Sequence, residues 1–227
     1  MKLSNKVLIG FFGFIFLYLT ATFAEIRLSG TPNIINDKNS IAETVDLSGI
    51  AYIILNHLNK DIKIIASDHP RLEVRSLTGN VLKKLTYAVS GDTLTLSNFQ
   101  SEETRTITIS VFVSQTSFNG ITVNSSVANI EKLEQTFFHI SQRSGRIWMS
   151  DNKISKLQMD LSNRAFLEIS NTNVDTLSAK IEGSEVHISS PVGLVLGSMK
   201  DKSSLRLGEI QEIQLKKDKS SNLNMYQ

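Results

Sequence analysis

The sequence contains no cysteine, and its one tryptophan is Trp148. Without cysteine there can be no disulfide, no thiolate metal site and no acylated lipoprotein cysteine, so stability has to come from a buried core. Charge of one sign is lacking as well: 24 basic residues stand against 22 acidic ones. The first 24 residues hold Lys2, Lys6 and no acid, so the chain beyond them carries 22 of each. A neutral chain with scattered charges offers no basic face to nucleic acid, and that class of partner is excluded. The four histidines, His57, His69, His139 and His187, share no ligand spacing, so neither a metal nor a cofactor is expected. No G-x-S-x-G elbow is present to carry a serine nucleophile.

What is present begins with an address. Lys2 and Lys6 precede an uncharged apolar run from Val7 to Leu19, with Thr22 and Ala24 at the small-residue positions of an export signal. Residues 1–24 read as a signal peptide cut after Ala24. If retained, the run from Val7 to Ala24 is long enough to anchor the chain in a bilayer. Either fate puts the remainder outside the cytoplasm, in the periplasm, at the cell surface or secreted. Membrane contact is then expected only through this segment. Residues 25–42, with Ser29-Gly30, Pro32 and Asn36-Asp37-Lys38-Asn39, read as a linker.

Strands follow. Val45–Leu55, Asp61–Ala66 and Leu72–Ser76 are β-branched runs bounded by turn residues. Leu85, Tyr87 and Val89 alternate up to Ser90-Gly91-Asp92, and Leu94 and Leu96 resume the alternation, which predicts a hairpin. From Arg105 to Val113 the pattern is strictly alternating, with Ile107, Ile109, Val111 and Val113 on one face.

A repeat then takes over. Ile147-Trp148-Met149, Leu167-Glu168-Ile169, Val186-His187-Ile188 and Leu205-Arg206-Leu207 are four copies of one apolar/polar/apolar triplet, spaced nineteen or twenty residues apart. Ile154 and Leu157 recur as Val174 and Leu177, and Ile210 and Ile213 follow two periods later. Ser162-Asn163-Arg164, Glu182-Gly183-Ser184 and Asp201-Lys202-Ser203 supply corners. A strand-turn-strand unit of 18–20 residues cannot bury its own apolar face, whereas a stack of such units can. The fold expected is all-β: a parallel β-helix over residues 43–215, with some antiparallel strands in its N-terminal part. Those strands would close one end of the stack, and residues 216–227, a polar tail, would guard the other.

The segments Val45–Leu55, Asp61–Ile65, Leu72–Val74, Gly91–Leu96 and Ile107–Val111, followed by twenty-residue strand repeats, resemble the GIN-type domains labelled auto-transporter adhesin heads, common in Bacteroidetes. The resemblance covers roughly residues 43–215. It implies a right-handed parallel β-helix in an extracytoplasmic location and supplies no catalytic residues.

In each triplet the outer two residues point inward and the central one outward, so Trp148, Glu168, His187 and Arg206 should form one exposed column. A ring beside a carboxylate and a guanidinium suits a shallow sugar-binding face. Asp160 and Lys180, on successive rungs, should pair across strands. The function expected is a non-enzymatic binding, adhesion or scaffold module, with a glycan or a cell-surface protein as partner. A polysaccharide-active lyase or hydrolase is the alternative, and end-to-end stacking would make oligomers.

Overall fold

The structure is a computed structural model that describes residues 3–29, 40–100 and 107–225. The chain divides into two units, residues 1–34 and residues 35–227. The first is the helix α1 (Leu3–Ser29), whose Phe11, Phe12, Phe14, Phe16 and Phe23 side chains are exposed. Among the described residues no helix is long and apolar enough to cross a membrane. Side chains of α1 are described for Ile9 to Glu25 and for Arg27, so the first two residues of the Val7–Ala24 run fall outside that statement, as do residues 30–39 of the expected linker.

The second unit is built from nineteen described strands. In chain order they are β1 (Ile41–Asp46), β2 (Tyr52–Asn56), β3 (Asp61–Ala66), β4 (Arg71–Ser76), β5 (Leu85–Ser90), β6 (Thr93–Phe99), β7 (Ile107–Val113), β8 (Gly120–Asn124), β9 (Val127–Glu131) and β10 (Glu134–Arg143). There follow β11 (Arg146–Ser150), β12 (Lys153–Ser162), β13 (Phe166–Ser170), β14 (Asn173–Glu182), β15 (Glu185–Ile188), β16 (Val192–Lys200), β17 (Ser204–Leu207), β18 (Ile210–Lys217) and β19 (Asn222–Met225). They form two sheets. The first runs β1-β4-β7-β3-β9-β11-β13-β15-β17-β19 and the second β18-β16-β14-β12-β10-β8-β2-β6-β5. From β8 onward each rung gives one strand to the second sheet and the next to the first, and every pairing is parallel. This is the expected β-solenoid. Arg105 and Thr106, at the start of the alternating run, lie outside the described residues.

The triplet register is as the repeat required. Ile147 pairs with Leu167, Leu167 with Val186 and Val186 with Leu205, and all four are fully buried. In β12 the buried residues are Ile154, Leu157, Met159 and Leu161. The step of three between the first two leaves Ser155 and Lys156 both facing away from the core, and the β12–β14 pairing skips Ser155. The strand therefore bends there, and Val174 and Leu177 repeat the bend on the next rung. Corners between the sheets use left-handed backbone at Asn163, Arg164, Gly183, Asp201 and Lys202, within the corner segments expected from residue type. The opposite corners carry a buried polar ladder. Asn152 Nδ2 donates to Thr172 Oγ1 at 3.3 Å, and the Thr172 N–H donates to Ser190 Oγ at 2.8 Å.

The stack does not follow chain order. β2 and β3 form a rung that lies between the β8–β9 rung on one side and the β6–β7 rung on the other. The chain lays down one rung, makes an antiparallel excursion, places the next rung outside the first, and then crosses to the opposite side to begin β8. In the excursion β4 pairs antiparallel with β7 and with β1, and β5 antiparallel with β6 in the predicted hairpin. The expected strand Val45–Leu55 is broken because buried Leu47 and Ile50 turn the chain inward around Gly49, separating β1 from β2.

The end nearest β5 is closed by the segment 77–84, whose Val81 is 2% exposed. Glu43 of β1 clamps it: Oε2 accepts from the Val81 N–H at 2.6 Å and the Leu82 N–H at 3.1 Å. These are charge-assisted bonds to the start of a short 3-10 turn, worth about 1.5–3 kcal/mol. Glu43→Ala should therefore lower the unfolding free energy by about 2 kcal/mol in urea titration, with Glu43→Gln losing less. Equal midpoints for all three proteins would show that the clamp is idle.

At the other end the expected polar tail belongs to the stack. Lys216 and Lys217 complete β18, and β19 pairs in parallel with β17 through Leu205–Leu223 and Leu207–Met225. With only Leu223 and Met225 as its apolar residues, β19 is too short to stand out by composition. Asp218 shapes the turn before it. Hydrogen bonds from Ser221 and from the Asp201 N–H, together with Ser220, lower the pKa of its carboxyl to about 2.

Candidate functional site

Trp148, Glu168, His187 and Arg206 stand opposite one another on β11, β13, β15 and β17, all on the solvent side of the first sheet. With strands about 4.8 Å apart the four span about 15 Å along the stack. The column continues to Asn129 before Trp148 and to Asn224 after Arg206. The four residues that the triplet spacing grouped therefore stand in one line.

A second outward column runs beside it, two residues earlier on each strand: Arg146, Phe166, Glu185 and Ser204. His187 joins the two. Its Nε2 lies 2.7 Å from Glu185 Oε1, and its ring meets the Phe166 ring edge-on at 5.3 Å between centroids. The Arg146 guanidinium lies 5.9 Å from the Phe166 centroid, within range of cation–π attraction. The glycine-free corner Asn163-Arg164 and the corner at Lys202 bring two more cations to the same edge. Together Arg146, Arg164, Phe166, Glu185, Lys202 and Ser204 line an open depression of about 640 Å³. This second column was not among the residues expected from the sequence, although its signal is there: 146, 166, 185 and 204 repeat at the triplet's own spacing.

Chemically the face offers two rings, Trp148 and Phe166, with Arg146, Arg164, Lys202 and Arg206 around them. Of its two carboxylates, Glu185 is engaged by His187 and Glu168 stands between Trp148 and His187 in the column. Rings stack on the apolar faces of sugars, and guanidinium groups take carboxylates in bidentate fashion. An acidic saccharide satisfies both requirements.

A larger depression, about 900 Å³, lies on the second sheet, lined by Asp175, Glu209 and Glu212 among others, with no ring and no cation. It adjoins one of about 460 Å³, where Lys153 is held by Glu134 at 2.6 Å. Size alone does not favour it, because a site needs groups that recognise as well as space. Asp160 and Lys180 do stand opposite one another, but each bonds elsewhere: Asp160 to His139 at 3.1 Å and Lys180 to Glu182 at 3.4 Å. Same-side neighbours one rung back or two residues along the strand reach them more directly. Among the described residues no three His, Asp or Glu side chains converge as a metal site would require.

No family model matches the chain, and no curated protein matches it. Solved structures do. A "putative adhesin" from Bacteroides fragilis has a TM-score of 0.60 at 14% identity, covering 84% of this chain and 98% of that one. A "putative adhesin" from Parabacteroides distasonis has a TM-score of 0.54 at 11% identity, covering 82% and 97%. A third, from Parabacteroides merdae, has a TM-score of 0.51 at 10% identity, covering 86% and 99%. At these identities the likeness establishes the shared fold. All three are named as adhesins and none as an enzyme.

Proposed function

We propose that this chain is a non-enzymatic extracytoplasmic binding module of the GIN-type, adhesin-like kind, and that its ligand is an acidic glycan held on the first sheet. The observation that carries the reading is the junction at His187. It ties the Trp148–Arg206 column to the Arg146–Phe166 column, so that two rings and four cations share one exposed face. A long, shallow face of this kind suits a chain-like ligand lying along the stack. The adhesin names of the structural neighbours and the apolar α1 at the N-terminus support a place at or beyond the cell envelope.

A glycan-degrading enzyme would need two acid/base groups converging on one bond. Here Glu185 is occupied by His187, and the depression is open rather than walled. Incubating the protein with an array of uronate-rich, sulfated and neutral oligosaccharides, followed by product analysis on every hit, tests the reading. The expected result is retention of acidic glycans, weakening as salt is raised because exposed charges are screened, with no shortened product. Preference for neutral glycans, or turnover of a bound one, would overturn it.

A further inference from the structure

The two ends of the solenoid are finished differently. Near β5 the core is covered by residues 77–84 and the Glu43 clamp. At the far end Ile210, Ile213, Leu215 and Leu223 are only partly buried, Met225 is 49% exposed, and β18 and β19 are sheet edges. An open edge over an apolar layer recruits another strand. The residues on β18 say which one.

The Asp218 N–H donates to Met199 O at 3.1 Å, toward β16. The β16–β18 register is unbroken from Glu212 to Lys217. Backbone direction alternates along a strand, so Ile213, Leu215 and Lys217 turn their N–H and C=O groups to the free edge. Ile213 and Leu215 point into the core layer, while Glu212, Gln214 and Lys216 face solvent. A second copy of this strand, antiparallel and related by a two-fold axis through Gln214, sets Ile213 against Leu215 as hydrogen-bonded pairs with four main-chain bonds. The same register sets Glu212 against Lys216 twice, in the closer non-hydrogen-bonded positions, with Gln214 facing its own copy. Moving the axis to Ile213 leaves Lys216 opposite Ile210, and moving it to Leu215 sets Glu212 against Asp218. One register alone matches charge, apolar side chains and backbone direction together. The opposite end offers no such match, because β5 carries no charged residue to answer Glu212 and Lys216.

We infer that the chain forms a closed tail-to-tail dimer in which β18 pairs with β18 of a second copy, continuing the second sheet across both molecules. The contact is isologous and uses up the open end, so it stops at two copies and does not run on as a fibre. It also points the two first-sheet binding faces in fixed relation, although the dimer rests on β18 alone and stands whether or not those faces bind glycan.

The chain has no cysteine, so Gln214→Cys introduces its one thiol. Opposed Cα atoms at a non-hydrogen-bonded antiparallel position are about 4.5 Å apart, within disulfide reach. The full chain, kept in mild detergent, is oxidised and the covalent dimer quantified, with Gln158→Cys on an exposed, mid-stack position of β12 as the control. Gln214→Cys should give roughly tenfold more dimer than the control. Adding Lys216→Glu, which sets like charges against each other twice, should cut that yield roughly tenfold. Adding Glu212→Lys as well should restore it. A Gln214→Cys yield no higher than the control's would overturn the dimer, as head-to-tail stacking would produce. A high yield indifferent to the charge reversals would overturn the register.

Discussion

Leu167→Asp is expected to leave no cooperatively folded protein in solution. Leu167 is fully buried, in line with Ile147 on the rung before it and Val186 on the rung after. The substitution forfeits about 1.5–3 kcal/mol of apolar burial. It also sets a carboxylate in an aliphatic column, which costs several kcal/mol more even after relaxation. The total approaches the ~5–15 kcal/mol that holds a domain together. Because each rung is stabilised by its two neighbours, losing the middle of the column uncouples rungs on both sides and frees their edges to aggregate. Circular dichroism on the soluble fraction, with Leu167→Val as a conservative control, reads the outcome. A soluble Leu167→Asp protein with an unchanged melting temperature would refute the register.

Gly197→Ala should be nearly as damaging, although it adds one methyl group. Gly197 pairs with Ala179 on one side and Leu215 on the other, and its φ is +137°, a conformation that a Cβ sterically opposes. A Cβ built there would lie 1.8 Å from the Ala179 carbonyl oxygen, so the β14–β16 backbone pairing would have to part. Strain of this kind together with a broken ladder bond amounts to about 3–5 kcal/mol. For a domain of this size that is a fall in melting temperature of roughly 6–20 °C. The fitting control is Ser198→Ala, at the next position of the same strand, where the side chain is exposed. Equal losses for Gly197→Ala and Ser198→Ala would mean that the backbone at 197 is not constrained as described.

The parts of the fold that were legible in the sequence are those where neighbours in space are also one period apart in the chain. Ile147, Leu167, Val186 and Leu205 announce their column through spacing alone, and the corners at Asn163 and Asp201 announce themselves through residue type. The rung order near the N-terminus was not legible. Ile62 pairs with Ile109 across the β4–β5 excursion, so no fixed period links them. Nor was the need for glycine at 197, because a glycine within Leu194–Met199 looks like any weak spot in a strand until the carbonyl of Ala179 is placed beside it. For the candidate site, the central column was legible as four outward positions. The flanking one, with Arg146, Phe166 and Glu185, obeys the same spacing but mixes a cation, a ring and an acid, so no shared residue type drew attention to it. The bond from His187 to Glu185, which makes one face of the two columns, depends on side-chain geometry that spacing does not encode.

The proposal that the first sheet binds an acidic glycan is tested most directly at Trp148, the one tryptophan of the chain and a member of the outward column. An acidic oligosaccharide that binds the protein should be titrated calorimetrically against the wild-type chain and Trp148→Ala, with both proteins melted in parallel. Removing a ring that stacks on the ligand is expected to weaken binding by roughly tenfold or more, while the melting temperature stays close to the wild-type value because the side chain lies on the solvent side of the sheet. Equal affinity in the two proteins would contradict the assignment of this face as the binding site.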